Sequence, residues 1–135
     1  MADLLSKVVV PVADADVAET TARAAREYLN QDSRIVAVHV LQDDEYASKD
    51  EWETFAEDAF ERTKSVLGED RVETELREGD DVTETIFEVA KDVDASAVAF
   101  RSRGGSRWRQ IMAGDVAREL VTEPDVPIVV LPGRE

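Results

Sequence analysis

The sequence predicts an α/β fold, a mostly parallel sheet with helices on both of its faces. Three observations carry that expectation. Short β-branched runs (Lys7–Val12, Arg34–Leu41, Ala97–Phe100 and Ile128–Leu131) are apolar without alternation, as strands covered on both sides are. Between them lie stretches whose apolar residues recur at intervals of three and four, the period of amphipathic helices. The two kinds of segment alternate strictly, and right-handed crossovers turn such alternation into parallel pairing.

Taken in order, Lys7-Val8-Val9-Val10-Pro11-Val12 reads as a first, central strand. From Val17 to Asn30 the residues Thr21, Ala24, Ala25, Tyr28 and Leu29 follow a helical period, with Asp16 as cap and Glu19 in capping-box position. Arg34–Leu41 is a second buried strand. Trp52, Phe55, Ala56, Ala59, Phe60, Thr63, Val66 and Leu67 then define a long helix that Gly68 should stop. Arg71–Arg77 alternates, with Val72, Thr74 and Leu76 on one face, as a half-covered edge strand does. Gly79-Asp80-Asp81 forms a turn, and Asp81 with Glu84 has the spacing of a helix cap before the stripe Val82, Ile86, Val89, Ala90, Val93. Ala97–Phe100 is the next buried strand, a last helix is expected over Val116–Thr122, and Ile128–Leu131 closes the chain's pattern as a final buried strand.

At 135 residues and 43% hydrophobic content the chain is expected to form one globular domain over residues 1–135. No apolar run approaches the roughly 20 residues that span a bilayer. Met1–Lys7 lacks a basic start and a long apolar stretch, so no export signal is expected. The absence of cysteine excludes disulfides, thiolate metal sites and a cysteine nucleophile. A cytoplasmic location is the resulting expectation.

Charge narrows the function. There are 31 acids against 16 bases, a formal net charge of −15. A field of that sign repels nucleic acid and anionic membrane alike, so neither is an expected partner. Self-repulsion of this size is relieved when molar salt shortens the Debye length to about 3 Å, which points to a salt-rich, halophilic setting. Between Gln42 and Glu61 lie nine acids and one base, read as a solvated face because no calcium-loop spacing occurs there.

One stretch departs from the acidic background. Arg101, Arg103, Arg107 and Arg109 stand with no acid among them, in a loop holding Gly104 and Gly105 between a strand and a helix. Glycine lets such a backbone approach a ligand closely, and helix N-termini favour anions. In doubly wound sheets ligands bind beyond the strand carboxyl ends where the winding reverses. The loops after Val12 and after Phe100 are the candidates for that crevice.

Four stretches in this order resemble the universal stress protein family, over Lys7 to Leu131. They are Val8–Val12, Val38-His39-Val40, Gly79-Asp80, and Ser102-Arg103-Gly104 through Gly114 to Pro127–Val130. The resemblance implies an open five-stranded parallel sheet of order 3-2-1-4-5, of the adenine-nucleotide alpha-hydrolase-like kind. It also implies a homodimer, through antiparallel pairing of Ile128–Leu131 with its mate. ATP-binding members carry Gly-x-x-Gly, nine residues, then Gly with Ser or Thr. Gly104 and Gly114 keep that spacing, but Arg101 replaces the first glycine and Asp115 the hydroxyl residue. Ala13 stands where such members have an aspartate, with Asp14 one residue late.

The resemblance thus places a nucleotide crevice at Val12, Ala13, Val40, Arg101, Arg103, Gly104, Gly114, Asp115 and Val116, with its ATP motif degenerate. Ionised Asp115 can only accept hydrogen bonds and adds negative charge beside a phosphate. Ala13 cannot accept a bond from a nucleoside. Asp115 can cap the helix before Val116, or pair with Arg101 across the vacated phosphate site. Arg103, Arg107 and Arg109 either bind phosphate or pair with acidic neighbours. Trp108 is read as packing beneath the loop. His39, the one histidine, has no second ligand or nucleophile beside it in the sequence and reads as a packed residue. The expected function is a non-catalytic, dimeric stress-response module without a cofactor. The alternative is an ATP-binding member with switch or weak ATPase behaviour. No enzyme motif supports a third reading.

Overall fold

The computed structural model describes residues 4–12, 15–41, 49–101 and 125–131, with the side chains of Lys49, Trp52 and Arg101 excluded. The elements are β1 (Lys7–Pro11), α1 (Ala15–Arg26), β2 (Arg34–Leu41), α2 (Lys49–Leu67), a single 3-10 turn (Glu69–Arg71), β3 (Val72–Glu78), α3 (Val82–Asp92), β4 (Ala97–Arg101) and β5 (Ile128–Leu131). The five strands form one sheet of order β3-β2-β1-β4-β5, parallel throughout, as expected. The helix expected over Val116–Thr122 lies outside the described residues.

Strand alternation sorts the core into two layers. Val8, Val10, Val12, Ile35, Ala37 and Ala99 face α1 and α2, meeting Ala18, Ala22, Ala25, Ala59 and Leu67. Val9, Val36, Val38, Val98 and Phe100 face α3, meeting Ile86, Phe87, Val89 and Ala90. Helices therefore cover both faces, which is why the central strands show no polar alternation. Small residues on α1 and α2 let the two helices approach the valine-rich sheet closely.

Helix ends follow local chemistry. Gly68 stops α2 at φ 104°, a left-handed value that favours glycine, and its N–H donates to the Lys64 carbonyl at 2.8 Å. Asp81 caps α3, its Oδ1 accepting from the Glu84 N–H at 3.0 Å. At its other end α3 closes in a Schellman arrangement, Ala95 N–H to Ala90 O at 2.8 Å and Asp94 N–H to Lys91 O at 3.2 Å. Asp94 there takes φ 58°.

Four expectations change. The first helix begins at Ala15, so Asp16 lies inside the first turn rather than capping it, and Glu19 pairs with Arg23 and Arg62 instead of closing a capping box. The same helix ends at Arg26, not Asn30, leaving Tyr28 51% exposed. The cause is Asn30, whose Oδ1 accepts from Asp32 N–H and Ser33 Oγ–H, so a polar turn outcompetes another helical turn. On β3 only Val72 of the expected inner face is buried, Leu76 being 39% exposed. Finally, β5 is an edge strand rather than a fully buried one, with Val130 48% exposed and Leu131 buried.

Candidate functional site

The winding direction reverses at β1, whose neighbours are β2 on one side and β4 on the other. The β1–β2 ladder runs through five pairs, from Lys7↔Arg34 to Pro11↔Val38. The β1–β4 ladder holds only Val8↔Ala97 and Val9↔Val98, so both strands run on past their last shared pair. That point lies at the carboxyl edge, the place at which doubly wound sheets bind ligands.

Its β1 side is tied firmly to β2. The Val12 N–H donates to the Val38 carbonyl at 2.8 Å. The Val12 carbonyl lies 2.9 Å from His39 Nδ1, on a ring only 3% exposed. A carbonyl oxygen can only accept, so Nδ1 carries the proton in this contact. Both backbone groups of the last described residue before Ala13 are thus held by β2. The sequence alone shows His39 as a packed residue. Its spacing gives no sign of the bond, since the partner is a main-chain oxygen 27 positions earlier.

After the crevice loop comes the N-terminus of α1. Asp16 lies in its first turn, placing a negative charge at the positive end of the helix dipole. Val17, one residue on, joins the α3-side cluster with Val98 and Phe100, whereas the rest of the buried face of α1 packs on the opposite side. The first turn of α1 therefore reaches over the carboxyl edge where β1 and β4 part. Nothing in the helical period of the sequence distinguishes Val17 from Ala18 or Ala22.

The sequence-derived site residues distribute as follows. Val12 is buried on the α1/α2 side and Val40 packs half-buried against the α3 side, so they share the carboxyl edge but not a face. Arg101 ends β4 in register with Leu131. Ala13, Arg103, Gly104, Gly114, Asp115 and Val116, together with Arg107, Trp108 and Arg109, lie outside the described residues.

Several arginines among the described residues are already paired, one of them near the carboxyl edge. Arg77, in register with Val40, donates to Glu75 Oε1 at 2.9 Å and to Asp92 Oδ2 at 3.1 Å, and these bonds hold its guanidinium above its ordinary value. Arg23, Arg34 and Arg62 also sit against carboxylates. Gly79 closes the edge beyond β3. Its N–H donates to the Leu41 carbonyl at 3.1 Å, and a Cβ there would lie 2.1 Å from Thr85 Oγ1, so only glycine fits. Among the described residues no group of three or more acids or histidines could hold a metal, and no helix is long and apolar enough to cross a membrane.

The profile described as the universal stress protein family matches residues 5–132. Among solved structures, the universal stress protein from Archaeoglobus fulgidus in complex with dAMP is 24% identical, with a TM-score of 0.67 over 96% of this chain and 99% of that one. UspA from Lactobacillus plantarum is 19% identical, TM-score 0.69, over 94% and 97%. A universal stress protein in complex with cAMP is 15% identical, TM-score 0.69, over 96% and 98%. At these identities the likeness is one of fold. No curated protein matches the chain.

Proposed function

The chain belongs to the universal stress protein family, and on that premise we propose that it is a non-catalytic stress-response module, acting as a homodimer in the cytoplasm, whose crevice has lost ordinary ATP binding. The observation that carries this reading is the triple departure at Ala13, Arg101 and Asp115. Alanine offers a nucleoside no acceptor, arginine puts a long side chain where a backbone must approach phosphate, and aspartate sets negative charge against it. Asp16 in the first turn of α1 acts in the same sense, because it occupies the helix-dipole field that would otherwise draw an anion. A salt-rich, halophilic environment, which screens the net charge of −15, belongs to the same reading.

The dimer is supported by β5. It is an edge strand of four uncharged residues with Val130 half-exposed, and an uncharged open edge is a template for pairing with a second chain.

The second reading is a nucleotide-binding module with switch or weak ATPase behaviour. In its favour, relatives of the same fold were solved with dAMP and with cAMP. The spacing of Gly104 and Gly114 is also kept, and Arg103, Arg107 and Arg109 supply cations. Calorimetric titration with ATP, with and without magnesium, in high salt, separates the two. Silence at millimolar ATP is the expected result, with Trp108 fluorescence unchanged. Saturable micromolar binding would make the second reading the answer.

A further inference from the structure

We infer that His39 is a positioning residue for the crevice, its Nδ1–H fixing the direction in which the chain leaves β1. This rests on the reading of the carboxyl edge as the functional site. Val12 is the last residue of the β1 run before Ala13, and α1 starts at Ala15, so whatever orients Val12 orients both the loop and the helix N-terminus above the crevice. A strand residue held only by its N–H can still rotate its carbonyl. Here the N–H is held by the Val38 carbonyl at 2.8 Å, and the carbonyl by the imidazole of the next residue of β2 at 2.9 Å. Two consecutive residues of one strand therefore grip both groups of one peptide-bearing residue.

The side-chain chemistry suits the task. His39 shares the α1/α2 side with Ile35, Ala37 and Leu41 by alternation, and it is buried. A buried carbonyl left without a donor costs free energy, so the imidazole contributes orientation that an apolar side chain of the same volume would not. The bond also dictates the tautomer, with the proton on Nδ1. The first turn of α1, through Val17, reaches the cluster of Val98 and Phe100. The aim of the β1 exit thereby bears on how closely α1 approaches the end of β4.

The test reads the free protein, so its failure is distinguishable from absence of nucleotide binding. In wild-type protein, nitrogen NMR of the histidine ring is expected to show Nδ1 protonated; a ring with Nδ1 bare overturns the proposal without any variant. Hydrogen exchange in His39→Leu is expected to be about tenfold faster at the Val12 amide, with little change at the Val36 and Val98 amides of neighbouring strands. His39→Asn, whose side-chain N–H lies near the position of Nδ1, is expected to restore part of that protection. A residue that merely filled space would give the opposite order, leucine protecting better than asparagine, and that result would also overturn the proposal.

Discussion

The two outer edges of the sheet are built in opposite ways. β3 has seven residues, and Glu73, Glu75 and Arg77 alternate along it, tied to Arg34 and Asp92. β5 has four residues, none charged, with a valine half-exposed. A strand edge offers free N–H and C=O groups to any passing strand, and charge is the usual means of discouraging such pairing. In a chain of net charge −15, an edge without any acid is the exception that needs a reason. In the proposed dimer a second copy of β5, equally uncharged, would meet no repulsion there.

The sharpest way to break this comparison is Val130→Lys. Lysine at an edge strand blocks pairing, and its ammonium would lose water in a closed interface, so if β5 pairs as proposed the dissociation constant of the dimer should rise by about 100-fold or more. Light scattering in high salt reads the mass. If wild-type protein and variant have the same mass at every concentration, β5 is not the dimer edge. The converse arm is Glu73→Val with Glu75→Val, which strips β3 of its acids. That protein should self-associate at concentrations where Val130→Lys stays monomeric.

The charged edge also depends on how β3 is tied off. Gly79→Ala would place a Cβ 2.1 Å from Thr85 Oγ1, whose hydroxyl donates to the Asp81 carbonyl at 2.8 Å. Relief requires the turn to shift or the hydroxyl to give up its bond, at a cost of about 2 to 3 kcal/mol in urea unfolding. An unchanged midpoint would mean that the turn is looser than its contacts imply.

Much of this architecture was legible because the central strands are covered on both faces. Ile35–Leu41 is apolar but for His39, and the strand limits match that run to within one residue. The edges were less legible. β5 and β1 are both short and valine-rich, and the pairing order distinguishes the outer strand from the inner one. The helical period runs on past the true end of α1 because Asn30 and Ser33 stabilise a turn through side-chain bonds that no hydrophobic period reveals. At the candidate site, the place of Val12 at the carboxyl edge followed from the alternating pattern and that of Val40 from the family resemblance. Their opposite faces and the His39 bond did not, since each depends on a cross-strand register.

On the β5 side of the molecule, α3 hands the chain to β4 through Asp94. An aspartate at φ 58° bears a steric cost that glycine escapes, and its charge sits at the negative end of the α3 dipole. Asp94→Gly should stabilise the protein by about 0.5 to 1 kcal/mol, reduced in part by the greater unfolded-state freedom of glycine. Destabilisation in urea unfolding would show that the Asp94 side chain contributes more than its backbone costs.

The smallest effect concerns where charge holds the β3 half together. Glu19 on α1 accepts from Arg23 on its own helix and from Arg62 on α2, and these two bonds, Arg23 first, hold its carboxyl below the ordinary value. A carboxyl depressed in the folded state stabilises it at pH above the ordinary carboxylate value. That contribution is lost as pH falls through the lowered folded value, because the unfolded chain takes up the proton first. Glu19→Gln should therefore unfold at a slightly lower urea concentration than wild type at neutral pH and converge with it in acid. The pair is exposed, so raising salt should erase the difference as well. A gap that persists in acid or in molar salt would mean that Glu19 acts through packing between α1 and α2, and that charge does less on this half of the molecule than the β3 edge suggests.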